Sequence, residues 1–381
     1  MRILHTSDWH VGKVLKGQSR AEEHLAVLTQ VVEIARAEQP DLVIVAGDLY
    51  DTAAPSPEST RLVTRALSAL RRTGADVVVI GGNHDNGAAL DALRPWSDAA
   101  GITLRGSVRE NPAEHVIDGT TATGERWRLV ALPFLSQRYA VRAIEMYDLT
   151  AAEATQTYAD HLSRLLAKLT EGFGEPGVVN LVTAHLTVVG ASQGGGEREA
   201  QTVLGYAVPA NVFPTSTHYV ALGHLHRAQT VIGPCPVRYS GSPLAIDFGE
   251  AENVPAVTVV EVSVGQAAKV REVPVTVATQ LRTVRGDLAQ LATLKTGDAW
   301  LRVFVRETPR AGLREEVQEL LPRALEVRID PDMVASTPGP RAEERAGRTP
   351  RELFAAYLDS RGVTDTGVRE LFDEFYEEAS A

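Results

Sequence analysis

The sequence predicts an α/β chain in which two β-sheets pack face to face between helices, followed by a small α/β cap domain and two C-terminal helices. Three observations predict it. Strand-like and helix-like segments alternate at the start, a run of strands follows, and near Ala278 a second, shorter alternation begins.

Ile3–Ser7 reads as a strand and Arg20–Ala37 as a helix, with Leu25, Leu28, Val32 and Ala35 on one face and Ser19 and Glu22 as a capping box. Leu42–Ala46 is an apolar strand. Ser56-Pro57 supplies an N-cap and a first-turn proline for a helix to about Arg72. Asp76–Ile80 is a strand, a helix runs from about Asn86 to Ala99, and Arg128–Leu132 is another strand. Thr150 with Glu153 caps a helix to about Thr170. Strands then dominate, at Val178–Ala184, Tyr219–Leu222, Gln229–Ile232, Val257–Val262 and Lys269–Val275. In the small unit, Trp300–Arg306 alternates, Leu313–Leu321 is helical and Leu325–Ile329 is a strand. The expected division is a body over residues 1–275, a cap over 278–330, a linker rich in Pro, Gly, Arg and Glu over 331–350, and amphipathic helices over 351–381. Leu353, Phe354, Leu371, Phe372 and Phe375 form the apolar stripe of those last helices. So short a segment cannot bury two such faces alone, so it docks on the body or on a partner.

Composition sets bounds. No apolar run approaches the ~20 residues of a membrane span, and Met1–His5 opens directly into a strand without a signal-like stretch, so a cytoplasmic protein with no membrane contact is expected. The single cysteine, Cys235, permits no internal disulfide. The net charge of −11 argues against a protein that coats nucleic acid by charge alone, while residues 278–330 hold nine Lys and Arg against eight Asp and Glu. Bound cations would offset the acidic balance where it matters, and metal ligands themselves require carboxylates.

Five motifs carry chemistry: Asp8-Trp9-His10, Gly47-Asp48, Gly81-Gly82-Asn83-His84-Asp85, Ala184-His185 and Gly223-His224-Leu225-His226. Each lies at or just past the C-terminal end of a predicted strand, where loops of an α/β sheet converge on one crevice. The i, i+2 spacing of Asp8 with His10, and of His224 with His226, puts both members of each pair on one side of an extended chain. Asp8, His10, Asp48, Asn83, His185, His224 and His226 offer oxygen and imidazole donors without thiolate, a set suited to Mn²⁺, Fe²⁺ or Zn²⁺ rather than Mg²⁺ or Ca²⁺. Seven ligands exceed what one such ion takes, whereas two ions about 3.5–4 Å apart, sharing a carboxylate, use them all. His5, His24, His115, His161 and His218 lie outside the motifs and read as structural residues. Trp9 points away from its neighbours into packing, Gly194-Gly195-Gly196 reads as a mobile loop rather than a phosphate cradle, and Arg302 and Arg306 read either as contacts to DNA phosphates or as a solvated strand face.

The order of the motifs is that of the metallophosphoesterases. His5–Gly12, Ala46–Asp51, Ala221–Arg227 and Tyr239-Ser240-Gly241-Ser242-Pro243 resemble the SbcD family of bacterial nuclease subunits, closely over residues 1–275 and more loosely beyond. The resemblance implies an α-β-β-α sandwich with two Mn²⁺ per chain, other divalent metals being possible. Asp48 would bridge them, with Asp8, His10 and His226 at one ion and Asn83, His185 and His224 at the other. It places His84 as the catalytic histidine. Asp85, next in the sequence, is expected to raise its pKa or orient it. Family members often carry a second functional histidine where this chain has Asp51. The resemblance further implies a DNA exonuclease and endonuclease of DNA ends and hairpins, acting in repair and recombination near the nucleoid. Its partners would be an SbcC-like coiled-coil ATPase bound by the C-terminal helices and a second copy bound through Pro57–Arg72 and Asn86–Ala99.

Two rival readings remain, a small-molecule phosphodiesterase of the same superfamily and a scaffold that has lost catalysis. The first leaves the cap and the C-terminal helices without a purpose. The second would show as a missing ligand, and none of the eight positions is missing.

Overall fold

The computed structural model describes residues 1–136, 158–197, 207–335, 349–360 and 365–380. In chain order the first elements are β1 (Arg2–Thr6), β2 (Val14–Leu15), β3 (Gln18–Ser19), α1 (Ala21–Glu38), β4 (Leu42–Ala46), α2 (Pro57–Arg71) and β5 (Asp76–Ile80). There follow α3 (Gly87–Ala92), α4 (Arg94–Ala99), β6 (Ile102–Arg105), β7 (Val116–Thr120), β8 (Arg126–Leu132), α5 (Tyr158–Leu169), β9 (Val178–His185), β10 (Thr187–Val188) and β11 (Ala207–Val208). The body closes with β12 (Tyr219–Gly223), β13 (Gln229–Val231), β14 (Val237–Tyr239), β15 (Ala256–Glu261) and β16 (Lys269–Pro274).

Two six-stranded sheets form the body, one in the order β16-β15-β1-β4-β5-β6 and the other β13-β14-β12-β9-β8-β7. Strand alternation divides the apolar residues among three layers. Ile3, Leu42, Ile44, Val78 and Ile80 of the first sheet meet Leu129, Val179, Leu181, Tyr219 and Ala221 of the second. Leu4, Val43, Val45, Val77 and Val79 face outward onto α1 and α2. Val130, Val182, Val220 and Leu222 face outward onto Leu162, Leu165 and Leu166 of α5. The result is the expected α-β-β-α layering. β1, β4 and β5 run parallel in one sheet and β8, β9 and β12 in the other, so their carboxyl ends gather at a common edge.

Several expectations need correction. The Ser19–Glu22 capping box does not form, because Ser19 pairs with Val14 in a β2–β3 hairpin and Arg20 occupies the N-cap with no side-chain cap bond. Leu25 is 57% exposed; the buried face of α1 is Val27, Leu28, Val31, Val32, Ile34 and Ala35. The helix expected over Asn86–Ala99 is two short ones, broken at Leu93 where Pro95 removes a backbone donor. Strands β6, β7 and β14 were not anticipated. The cap offered by Thr150 and Glu153 lies outside the described residues.

The small unit contains β17 (Leu281–Gly286), α6 (Leu288–Ala292), β18 (Trp300–Val305), α7 (Leu313–Leu320) and β19 (Ala324–Ile329). Its sheet is wholly parallel, β17-β18-β19, so it is a βαβαβ unit, one strand and one helix larger than expected. The proposed linker begins as a helical turn, α8 (Pro331–Ala335), and much of the rest lies outside the described residues. Helices α9 (Pro350–Ser360) and α10 (Thr366–Ser380) follow, longer than the apolar pattern suggested, and stack through Phe354 and Phe372 with ring centroids 4.0 Å apart.

Candidate metal centre

The motif residues all meet at the common edge. Asp8 and His10 follow β1, Asp48 follows β4, Asn83 and His84 follow β5, His185 ends β9, and His224 and His226 follow β12. Their turns are tight. Among the described residues, six non-glycine residues have positive φ, and four of these are Asp8, His10, Asp48 and His224, at 54°, 47°, 52° and 99°. Such backbone costs about 1–3 kcal/mol per residue and persists where the surroundings impose it, characteristically at functional sites. Gly47 (φ +96°) is required twice over, since a Cβ there would also run into the His185 ring.

One donor cluster comprises Asp8, His10, Asp48 and His226, whose ligand atoms lie within 4.8 Å of one another. In the other, Asn83 Oδ1 lies 2.8 Å from both His185 Nε2 and His224 Nδ1. The clusters meet at Asp48 Oδ2, which is 3.5 Å from His10 Nε2 and 3.4 Å from His185 Nε2. Asp8, His10, Asp48, His185, His224 and His226 are all buried.

The chemistry of this donor set calls for cations. His185 Nδ1–H donates to the Ala46 carbonyl at 2.8 Å, so a neutral ring turns its Nε2 lone pair toward Asn83 Oδ1 and Asp48 Oδ2, acceptor against acceptor. Likewise His10 Nε2 and His226 Nε2 face each other at 3.1 Å. A proton on His185 Nε2 relieves its contacts only by charging that ring, and a single proton shared between the two Nε2 atoms joins His10 to His226. Burial pushes His185 down, but Asp48 and Asp8 outweigh it and raise the ring to about 9. Burial is likewise outweighed at His226, where Glu250, Asp8 and Glu197 raise the ring to about 10. His10, with burial dominant, falls to about 3, and burial lifts Asp8 to about 6. For Asp48 the pull of His185, His10 and His84 overcomes burial and holds the carboxyl well below its usual range. Divalent cations among these atoms would satisfy the same carboxylates and displace the ring protons. The residues fit divalent metals.

His84 is 7% exposed and lies against this centre without joining the Asn83 cluster. Its ring nitrogen Nδ1 lies 2.8 Å from the Asp51 carbonyl oxygen, its backbone N–H donates to Asp48 Oδ1 at 2.8 Å, and the ring stands edge-on to His10. The Asp51 side chain pairs with Lys13 Nζ at 3.1 Å and faces His10 Nδ1 at 3.6 Å. Asp85 does not orient His84 in this geometry. It accepts the backbone N–H groups of Leu49, Tyr50 and Gly82, tying the Asp48 turn to the Asn83 turn.

Other supports were given no role by the sequence: Glu250 lies in a distant turn without a periodic pattern, and Ser7, Ser240 and Ser242 stand in the quoted motifs as hydroxyls of no evident use. Glu250 Oε1 is 2.7 Å from His226 Nδ1, with both side chains 1% exposed. Ser7 Oγ donates to Asp8 Oδ2 at 2.6 Å and is 2.7 Å from Ser240 Oγ, and Ser242 Oγ donates to the Asp8 carbonyl. The Tyr239–Pro243 motif thus buttresses Asp8. The Gly194–Gly196 segment is not the mobile loop expected: Glu197 accepts from Gly194, Gly195 and His226 N–H groups, and a Cβ on Gly196 would strike Glu250. Trp9 is buried, its Nε1–H on Thr6 Oγ1, as packing required. The remaining histidines outside the motifs make structural contacts where their bonds are described, as His5, His24, His115 and His218 do.

Two packed sheets that present such a cluster at their shared carboxyl edge define a calcineurin-like phosphoesterase, and residues 1–228 match that family. Residues 277–380 match a second family, the type 5 capsule protein repressor C-terminal domain. The chain is 34% identical over 305 residues to the SbcD subunit of the nuclease SbcCD of Escherichia coli (strain K12), covering 76% of this chain and 72% of that protein. It is 34% identical over 327 residues to the Bacillus subtilis (strain 168) protein of the same name, covering 83% and 81%. With the Rhodobacter capsulatus counterpart the identity is 36% over 281 residues, covering 71% and 68%. The chain belongs to the SbcD family of nuclease subunits.

Proposed function

We propose that the chain is a Mn²⁺-dependent DNA nuclease that trims DNA ends and opens hairpins in repair and recombination, working with an SbcC-like coiled-coil ATPase. The observation that carries the reading is the position of Asp48 Oδ2 between His10 of one cluster and His185 of the other. The relatives' name, which makes each a subunit of the nuclease SbcCD, supports both the nuclease activity and the complex. In this reading Asp48 would be shared by two cations, with Asp8, His10 and His226 holding one and Asn83, His185 and His224 the other. Mixed oxygen and imidazole donors favour Mn²⁺ over Mg²⁺. When bound, such a pair activates water and neutralises phosphate charge. The chain's own groups do the rest. Ser7 and Ser242 hold Asp8, Ala46 holds His185, and Glu250 holds His226, so the donors are set before substrate arrives. With Nδ1–H donated to the Asp51 carbonyl, the doubly protonated His84 ring gives its Nε2 proton to the departing oxygen and is left neutral.

The same reading treats residues 1–275 as the nuclease body, 278–330 as a cap, 331–350 as a linker and 351–381 as the docking segment for the ATPase. A second copy is placed on α2 and α3–α4, and an apolar groove lined by Leu25, Leu28, Val32, Leu62 and Ala66 runs between α2 and α1. Light scattering that gives a monomer at micromolar concentration would count against this dimer. No described helix is long and apolar enough to cross a membrane, and we assign the complex to the cytoplasm at the nucleoid. The deciding assay compares a DNA hairpin with bis-p-nitrophenyl phosphate, in Mn²⁺ and in Mg²⁺. Hairpin cutting in Mn²⁺ is expected. Hydrolysis of the small ester alone would make the chain a small-molecule phosphodiesterase, and no hydrolysis by metal-loaded protein would make it a scaffold.

A further inference from the structure

The short turn Phe248–Glu250 faces two ways. On one side Phe248, 3% exposed, packs with Leu15 and with Leu281, Trp300 and Leu325 of the small β17–β19 unit. The Arg302 guanidinium of β18 lies 4.9 Å over the Phe248 ring, 3.5 Å from Asp247 and 3.0 Å from Glu326, so it clamps the turn rather than facing solvent. Lys16 of the body reaches the same Glu326 at 3.4 Å. On the other side, two residues after Phe248, the buried Glu250 carboxylate takes His226 Nδ1 on Oε1 and the Ile246 N–H on Oε2 at 2.9 Å. The turn is closed by Glu250 N–H on the Asp247 carbonyl at 2.9 Å and by Gly249 N–H on the Asp247 side chain. So short a closed turn does not let Phe248 move without carrying Glu250 with it.

We infer that Glu250 is a positioning residue for His226 and that the Asp247–Glu250 turn couples seating of the small unit to the metal centre. The inference rests on the reading of His226 as a metal ligand. A carboxylate on Nδ1 fixes the ring's tautomer and rotation and leaves Nε2 directed at the cluster, and outer partners of this kind typically set about 10–100-fold in metal affinity. A shift of about 1 Å in the turn takes the His226–Glu250 contact beyond hydrogen-bond range. His185 is held instead by the Ala46 carbonyl of β4, so only the cluster containing His226 should respond.

The test is calorimetric titration of the metal-free full chain with Mn²⁺ alone. Glu250→Gln should weaken one of two sites by about tenfold or more and leave the other as in the wild type. Phe248→Ala and Arg302→Ala, which alter no atom of either cluster, should weaken that same site. Arg302→Ala trims an edge rather than the core and decides the matter if Phe248→Ala fails to fold. Unchanged Mn²⁺ binding in Glu250→Gln would overturn the positioning role, and unchanged binding in the folded Phe248 and Arg302 variants would overturn the coupling. His226→Ala separates the two levels. If it too binds Mn²⁺ as the wild type does, His226 is no ligand, and the metal assignment fails before the coupling is reached.

Discussion

Asp48 lies where the two donor clusters meet. Its Oδ1 accepts the His84 backbone N–H at 2.8 Å while Oδ2 faces His10 and His185, and its φ of 52° aims the carboxylate between the two sheets. Asp48→Ala is therefore expected to cost both ions in Mn²⁺-replete protein, whereas His10→Ala weakens mainly one. Elemental analysis checks this, and two ions retained by Asp48→Ala would refute the bridge. His84 poses a different question, because its contacts hold it beside the centre without placing it among the Asn83 cluster. His84→Gln should keep both ions and DNA affinity while cleavage falls by about 10²-fold, the scale of a lost general acid. Near-normal cleavage by a metal-replete variant would remove it from the chemistry, and joint loss of metal and activity would make it a ligand.

At the scale of elements, one buried histidine shows how the sheets are joined. His5 on β1 reaches across to β12: its Nε2–H donates to the Leu222 carbonyl at 3.1 Å, and its Nδ1 lies 3.0 Å from Tyr219 Oη, which donates to it in the neutral ring. Burial, with Arg238 second, pushes this ring down to about 3 from the ordinary 6.5. The unfolded chain then binds a proton below pH 6.5 that the folded chain refuses until about pH 3, so stability rises with pH across that window and is level above it. Removing the group should shrink the difference in unfolding free energy between pH 7 and pH 5 by about 2 kcal/mol. Urea unfolding of the wild type and His5→Gln at both pH values measures it, and an equal difference in the two would refute the assignment. His5 could be read from the sequence only as a structural histidine, whereas the five motif turns were legible because each pairs a strand end with a metal-competent side chain. The α1 face was misjudged because Leu25 is apolar yet sits beyond the row of Val27, Val31 and Ile34, and an apolar residue beside the stripe carries the same letter as one within it. Glu250 was invisible for another reason: it lies 24 residues from His226, and its role depends on how β15 brings its turn back beside β1. The positive-φ backbone of Asp8, His10 and Asp48 is likewise a product of packing rather than of residue type.

At the scale of the whole molecule, the described residues of the C-terminal helices are mostly exposed or only partly buried. They have 11 and 15 residues, lengths at which an isolated helix in water is marginal. Their described packing is largely mutual, through the stacked rings of Phe354 and Phe372 and an ion pair between Arg351 and Asp373. Leu358 is buried, but Tyr357 is 53% exposed, and of the predicted stripe Leu371 and Phe375 are 52% and 60% exposed while Leu353, Phe354 and Phe372 are partly buried. Exposed apolar side chains of this kind are what the proposed partner would cover. The metal centre draws none of its seven donors from this region, since the last of them is His226. Deleting residues 345–381 should therefore leave metal content and basal nuclease activity intact while abolishing pull-down with a coiled-coil ATPase of the SbcC kind. Association retained by the truncated chain would place the interface on another surface, and loss of metal on truncation would show instead that the helices belong to the nuclease body.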